Sequence, residues 1–221
     1  MKRKLMTMVA VTCLTGVFGQ TAQAAPLSKD PAVGDAEQAA QELQTREQTF
    51  LFLLTGRQDV FQCDVPPTDL GTTTADCHHH DIVDLRTGKV IGSAIDSSTD
   101  AELVGEEIVV TGTTFFSIEK GPFKGAKLTL RGRGAIAPHP VPNVEFAFAG
   151  IDLPVEKAPI THFAAITPIA GVDNNVLEAS GRLQGARGTF ALWGQLDLSQ
   201  LPDNAAFNCI YNIRLNLPRR H

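Results

Sequence analysis

The segment 207–217, FNCIYNIRLNL, is the cleanest alternation of apolar and polar side chains in the chain. One parity is held by Phe207, Cys209, Tyr211, Ile213, Leu215 and Leu217, and the other by Asn208, Asn212, Arg214 and Asn216. Successive side chains of a β-strand point to opposite faces, so this period of two predicts a strand with one buried face and one polar face.

Other stretches predict strands of the same kind. The segments 107–118 and 189–198 also alternate, and shorter apolar stretches occur at 50–55, 82–85, 90–95, 128–136, 144–148 and 175–182. Turn residues such as Thr87-Gly88-Lys89 stand between them. Because no helical pattern intervenes, the sequence predicts an all-β protein, either an antiparallel barrel or a sandwich.

Glycines distinguish these two architectures. Gly132 and Gly134 interrupt one predicted strand, and Gly181, Gly185 and Gly188 surround a tight reversal. Glycine inside a strand is typical of a bulge or a sharp bend where a sheet curls back on itself. We therefore expect an eight-stranded antiparallel β-barrel, whose interior is either filled by side chains or wide enough for one small ligand.

The first 24 residues have the features of a signal peptide. Lys2-Arg3-Lys4 precedes the apolar run 5–18, which is too short to span a bilayer at ~20 residues, and Ala22-Gln23-Ala24 fits the site of a signal peptidase. We expect residues 1–24 to be removed, residues 25–48 to form a polar leader, either helical or disordered, and residues 49–221 to form the barrel. The mature protein is then secreted or periplasmic.

The charge of the chain after residue 24 excludes some classes of partner. The full sequence has 19 basic and 24 acidic residues, and three basic but no acidic residues lie in 1–24. The remainder therefore carries a net charge of −8. Nucleic acids and anionic membranes need a basic surface, so we expect neither as a partner. A content of 43% hydrophobic and 19% charged residues also excludes a wholly disordered chain.

Three cysteines follow the signal segment, and an oxidising compartment predicts one disulfide and one free thiol. Cys63 and Cys77 bracket a stretch rich in proline, glycine and threonine that has little core of its own. A bridge between them would stabilise this loop by ~3 kcal/mol in the chain-entropy model. Pairing of Cys63 or Cys77 with Cys209 stays open as the alternative.

Four segments resemble the allene oxide cyclase and dirigent superfamily, in its exported, bacterial form. The segment 180–188, SGRLQGARG, resembles the glycine hairpin of that superfamily, and 87–92, TGKVIG, resembles an early strand that precedes an acidic turn, here 96–100. The segment 112–116, GTTFF, and the stretch 128–134 resemble its central strands. The resemblance covers residues 49–217. It implies a calycin-like barrel with an apolar interior, assembled as a homodimer or homotrimer, that acts on a small apolar molecule without a cofactor.

The resemblance and the residues together suggest a set of site residues. His80-Asp81-Ile82 is similar to the first strand of dirigent proteins, whose aspartate lines the pocket, so Asp81 is one catalytic candidate. Tyr211 is the second, because it is the only tyrosine and its hydroxyl needs a partner when buried. The ligand-binding residues that we expect are Phe116, Phe148, Phe190, Phe207 and Tyr211.

Other polar residues have simpler interpretations. We place Cys77-His78-His79-His80 in a solvent-exposed loop rather than in a metal site, because no second spaced pair completes a set of ligands. Arg131 and Arg133 are expected on a solvated outer face, and Glu106 and Glu107 at the start of a strand. Trp193 lies on the parity opposite Phe190 and Leu192, so an outward position at a subunit interface is expected.

Two functions of different class are consistent with the predicted barrel and its candidate site residues. The first is a cofactor-free cyclase, isomerase or stereocontrol protein that holds one conformer of its ligand near the reacting geometry, which can remove ~7 kcal/mol or more from a barrier. The second is a carrier or interaction barrel without activity. An acid or a tyrosine within hydrogen-bond reach of the ligand favours the first function, and a wholly apolar or filled interior favours the second.

Overall fold

The computed structural model describes residues 45–139, 159–169 and 171–219, and all of them belong to one compact unit, Ala40–His221. The predicted signal segment, the leader as far as residue 44, and the predicted strand 144–148 with Phe148 lie outside the described residues. Within the described part, the only helix is a 3-10 turn at Gly181–Leu183. None of its helical segments has the length and apolar character needed to cross a bilayer.

Ten strands make up the described chain. They are β1 (Thr45–Asp59), β2 (Phe61–Asp64), β3 (Thr74–Asp84), β4 (Lys89–Val104), β5 (Glu107–Ile118), β6 (Lys127–Pro138), β7 (His162–Thr167), β8 (Val176–Ala179), β9 (Arg187–Asp197) and β10 (Asn204–Pro218). The β5 bounds are those predicted from the alternation. β1 begins at Thr45, so residues 45–48 belong to the barrel and not to the leader.

The strands close into a ring, which confirms the predicted barrel. Antiparallel pairing follows the order β1-β10-β9-β7-β6-β5-β4-β3, and β3 then pairs with β1 at Phe52↔Asp84 to Thr55↔Asp81. Eight positions thus surround one interior. β8 occupies the same position as β7, because both pair with β6, and β2 pairs only with β3. A sandwich is excluded since the sheet has no open break between two layers.

One face of the barrel strands packs into a single apolar core. Its buried members include Phe50, Phe52, Leu54, Ile82, Phe116, Leu128, Leu130, Ile166, Phe190, Leu192, Phe207, Cys209, Tyr211, Ile213 and Leu215. The buried parity of β10 is the one predicted from its sequence, apart from Leu217, which is only partly buried. Alternation along each strand therefore places the same parity inside around the ring.

The glycines of β6 allow a close approach of neighbouring groups inside the barrel. A Cβ atom on Gly134 would lie 2.0 Å from the carbonyl oxygen of Ala165, and one on Gly132 would lie 2.8 Å from the ring of Phe190. Any larger residue would force β6 away from β7. This is the role that strand-interior glycine was predicted to have.

The disulfide joins Cys63 of β2 to Cys77 of β3, as predicted, and Cys209 is a buried free thiol. The loop that follows Cys63 is held by the side chain of Arg131, which donates to the carbonyl oxygens of Pro66 and Pro67, the latter at 2.8 Å. Arg131 is half-buried, and not fully solvated on the outer face as predicted, because its guanidinium group binds this loop. Arg133 lies on the exposed outer face as expected.

Candidate functional site

A row of polar side chains crosses three neighbouring strands on the inner face of the barrel. The register places His78 of β3 opposite Asp96 of β4, and Asp96 opposite Thr114 of β5. Tyr211 of β10 reaches the same row with its hydroxyl. We call His78, Asp96, Thr114 and Tyr211 the polar row.

Hydrogen bonds connect three members of the row. The Thr114 hydroxyl donates to Oδ1 of Asp96 at 2.7 Å, and the Tyr211 hydroxyl lies 2.8 Å from Oγ1 of Thr114. The Tyr211 hydroxyl is also placed to donate to Oδ1 of Asp96, at 3.3 Å. Since Thr114 has one hydroxyl proton and gives it to Asp96, the single hydroxyl proton of Tyr211 is shared between Oγ1 of Thr114 and Oδ1 of Asp96.

Aromatic packing positions the tyrosine. The Tyr211 ring stacks on Phe190 with centroids 5.9 Å apart and meets the edge of Phe116 at 5.3 Å. Such contacts restrict the ring, and with it the direction of the hydroxyl. Phe116 and Phe190, which were both predicted to bind the ligand, therefore hold the Tyr211 ring in place beside the polar row.

Burial raises the pKa of Asp96 toward neutral pH. It raises the pKa of the carboxyl from 3.8 to about 6, and the hydrogen bonds from Thr114 and Tyr211 oppose part of this rise. The pKa of Tyr211 is raised well above its usual value, first by burial and then by the Asp96 carboxylate. Asp96 can thus both give and accept a proton near neutral pH, whereas Tyr211 remains a hydrogen-bond donor.

Two histidines line the inner face beside the row. His78 and His80 both pack on Phe207, with ring centroids 4.6 and 5.1 Å from it, and the Nδ1 atom of each is buried without a hydrogen-bond partner. Burial lowers the pKa of His78 to about 4 and that of His80 to about 3. Both imidazoles are therefore neutral at physiological pH and offer free hydrogen-bonding atoms.

The prediction that these histidines occupy a solvent-exposed loop is wrong. They belong to β3, and alternation turns His78 and His80 inward while His79 faces out and stacks on Phe61 at 4.7 Å. Pairing of all three histidines with β4, opposite residues 94–96, holds this polar stretch in the sheet. No cluster of three or more potential metal ligands occurs among the described residues.

The inner face becomes exposed toward one end of the barrel. Along β3, the exposed fraction rises from 4% at His80 to 9% at His78, and Asp76 is exposed. Along β4, Ala94 is buried, Asp96 is half-buried and Ser98 is exposed. The polar row thus lies where the buried apolar core meets the solvent-exposed end of the same two strands.

The predicted site residues fall into three groups. Phe116, Phe190, Phe207 and Tyr211 belong to one interior cluster. Asp81 is exposed on the outer parity of β3, one residue from the inward-facing Ile82, so the structure does not bring it near Tyr211. Phe148 lies outside the described residues.

Asp96 is the site residue that the sequence analysis missed. The sequence predicts an acidic turn over 96–100, but these residues belong to β4, which runs from Lys89 to Val104 with a shift of register between Thr99 and Glu102. The signal that could have located Asp96 is parity, because it lies two residues after the inward-facing Ala94.

On the outer face, Trp193, Glu106 and Glu107 are exposed as predicted. Trp193 points outward with 53% of its surface exposed, and Phe163 lies near it on the neighbouring strand with 40% exposed. Glu106 and Glu107 are both exposed at the β4–β5 turn.

Comparisons with known proteins give a distant structural likeness. No family model matches the sequence, and no curated protein matches it. Among solved structures, the chain is similar to the pterocarpan synthase dirigent protein GePTS1, with a TM-score of 0.44 and 12% sequence identity over 88% of this chain and 98% of that one. The barrel itself is established by the strand pairing described above.

Proposed function

We propose that this protein is an exported barrel that binds a small apolar molecule and acts on it without a cofactor, as a cyclase, isomerase or stereocontrol protein. The observation that carries this proposal is the hydrogen-bonded set Asp96, Thr114 and Tyr211 inside an otherwise apolar barrel. A buried carboxyl with a pKa of about 6 next to a phenol is the kind of group that proton transfer requires.

The proposed chemistry is a proton shift within one confined ligand. Asp96 removes a proton from one atom of the ligand and returns it to another, so that the carboxyl ends in its starting state and no cofactor is consumed. When the ligand is bound, the single hydroxyl proton of Tyr211 turns from Thr114 and Asp96 to the ligand oxygen on which negative charge develops. The aromatic and aliphatic walls hold one conformer of the ligand, which lowers the entropic part of the barrier.

Charge at the exposed end favours an uncharged ligand. The segments 59–76, 98–108 and 196–206, which surround this end, contain ten acidic residues and no lysine or arginine. We call these segments the acidic end. A carboxylate or phosphate approaching Asp96 from this side would meet like charge, and the neutral imidazoles of His78 and His80 would not compensate it.

The second candidate is a carrier without activity. It is supported by the composition of the interior, where aliphatic and aromatic side chains outnumber the polar row. A carrier would use Tyr211 and the free histidine nitrogens only to orient its ligand.

We further propose that the barrel forms a homodimer or homotrimer. Trp193 and Phe163 provide an exposed apolar surface on the outer wall, and small residues, Ala135, Ala137 and Ala165, lie beside them on β6 and β7. Aromatic residues of this kind are enriched at subunit interfaces.

One experiment separates the two functions. The exported protein is purified from its own host, and bound molecules are identified by native mass spectrometry and denaturing extraction. The extracted molecule is then incubated with wild-type protein, Asp96→Asn and the matched control Asp81→Asn. Conversion that is lost in Asp96→Asn and kept in Asp81→Asn supports the catalytic proposal. Binding without conversion in wild type identifies a carrier. Absence of a bound molecule, together with failure to bind apolar dyes, would refute both functions.

A further inference from the structure

Charged residues are segregated along the barrel axis. The end opposite the acidic end consists of segments 45–48, 84–91, 118–127, 179–188 and 215–219, which together hold nine basic and three acidic residues. We call these segments the basic end. A protein whose sequence is acidic overall therefore presents a positively charged pole, and the net charge alone conceals it.

A groove of about 820 Å³ is open at this basic end. Four arginines from different parts of the fold line it: Arg46 of β1, Arg86 of the β3–β4 turn, Arg182 of the 3-10 helix and Arg219 after β10. Pairing of Arg46 with Leu217 across β1 and β10 brings two of these segments together.

The four guanidinium groups are only partly committed. Arg86 pairs with Asp84 at 3.3 Å, and Arg182 donates to the carbonyl oxygen of Pro122 at 2.7 Å. Within the described part of the chain, neither Arg46 nor Arg219 forms an ion pair, and both are exposed. Clustered arginines with free donors are the residues that bind phosphate and carboxylate groups with two parallel hydrogen bonds.

The rest of the groove is apolar. Phe123, Leu217, Pro122 and Pro218 line it, and Phe123 and Leu217 also pack against the barrel core. The Phe123 ring meets the edge of Phe50 at 5.0 Å, which fixes this side of the groove. An ion without an apolar part would leave these side chains unused.

We infer that the groove at the basic end binds the phosphate or carboxylate head of an amphiphilic anion, with its apolar chain against Phe123 and Leu217. This site lies at the end of the barrel opposite Asp96 and is independent of the function proposed for the polar row. The ligand would reach it either as a free molecule or as a lipid in an anionic membrane.

Isothermal titration calorimetry with dodecyl phosphate below its micellar concentration tests the inference. We expect one molecule to bind per chain, binding to weaken as salt rises, and both dodecanol and inorganic phosphate to bind at least tenfold more weakly. The double variant Arg46→Ala/Arg219→Ala should lose at least tenfold in affinity. The control Arg133→Ala/Arg214→Ala removes the same charge from exposed positions outside the groove and should keep the wild-type affinity.

Other results would overturn the inference. No binding of dodecyl phosphate, equal losses in the two double variants, or equal affinity for inorganic phosphate would each do so. Sedimentation with phosphatidylglycerol and phosphatidylcholine vesicles identifies the source of the ligand. Binding to the anionic vesicles alone, lost in Arg46→Ala/Arg219→Ala, would assign the site to a membrane lipid, and no vesicle binding alongside dodecyl phosphate binding would assign it to a free amphiphile.

Discussion

The hydroxyl of Tyr211 lies 3.3 Å from the carboxylate of Asp96, although 115 residues separate them in the chain. β4 and β10 are not neighbours in the sheet, so this contact crosses the barrel interior. Thr114 bridges the pair, and the three side chains form a unit that only the closed barrel assembles.

Tyr211→Phe should raise the pKa of Asp96 above its value of about 6, because the tyrosine hydrogen bond stabilises the charged carboxylate. Loss of one buried hydrogen bond should also lower the free energy of unfolding by about 1 kcal/mol. NMR titration of the Asp96 side-chain carbon measures the first effect and urea denaturation the second. A fall in the Asp96 pKa would contradict the proposed direction of donation.

Asp96→Asn should remove the free-energy cost of burying a charged carboxylate at neutral pH. The pKa of Asp96 is about 6 in the folded state and has the ordinary value of 3.8 in the unfolded state. Between these two pH values the folded state therefore binds more protons than the unfolded state. The contribution of Asp96 to the free energy of unfolding therefore falls as pH rises from about 4 to about 6, by roughly 3 kcal/mol for this shift. The stability of Asp96→Asn relative to wild type should rise over the same interval, and Asp81→Asn should show no such trend. An unchanged difference between pH 4 and pH 7 would show that folding does not raise the pKa of Asp96.

Replacement of His80 by leucine should make the fold more tolerant of acid. Its pKa is lowered from 6.5 to about 3, so the unfolded state binds the extra proton and the contribution of His80 to the free energy of unfolding falls as pH drops below 6.5. His80→Leu should flatten this loss, measured by denaturation at pH 4 and pH 7. His79→Leu is the matched control, because His79 faces outward. Equal effects of the two substitutions would rule out burial as the cause.

Reduction of the Cys63–Cys77 bridge, which closes a loop of sequence separation 14, should lower the free energy of unfolding by about 3 kcal/mol. The double variant Cys63→Ala/Cys77→Ala should show the same loss without reductant.

Cys209 should resist thiol reagents in the folded protein, since burial and the nearby Asp96 carboxylate raise its pKa well above the usual value. Rapid labelling of Cys209 under native conditions would contradict its buried position.

Trp193→Glu should shift the protein toward the monomer if the outer apolar surface joins subunits. Size-exclusion chromatography with light scattering measures the mass of the assembly. Leu103→Glu is the control, because Leu103 is 72% exposed and is not among the residues that line the surface around Trp193. A wild-type protein that is monomeric at high concentration would refute the oligomer.

The barrel could be predicted because hydrophobic alternation is strong in its longest strands. β5 and β10 carry apolar side chains at nearly every second position. Burial of these side chains is favourable for only one of the two possible orientations of each strand. The disulfide could also be predicted, since the loop between Cys63 and Cys77 has only a few apolar residues, Val65, Leu70 and Ala75, and is otherwise rich in proline, glycine and threonine. These features depend on neighbours close in sequence.

The site depends on neighbours distant in sequence, and prediction failed there. The histidines of β3 and the segment 96–100 of β4 are polar and have low β-propensity, so nothing local indicates a strand. Pairing with adjacent strands overrides that preference. The family resemblance suggests Asp81, but Asp81 is exposed beside the buried Ile82 and therefore lies on the outer parity of β3.

Closure of the barrel through β1 and β10 constrains when the protein can fold. Asp59 at the end of β1 and its partner Asn204 are 145 residues apart. A chain still being synthesised lacks its last strand, which leaves the edges of β1 and β9 without a partner until the final residues emerge. Contacts this distant also make folding slow. The ring of strands therefore cannot close before β10 has been synthesised.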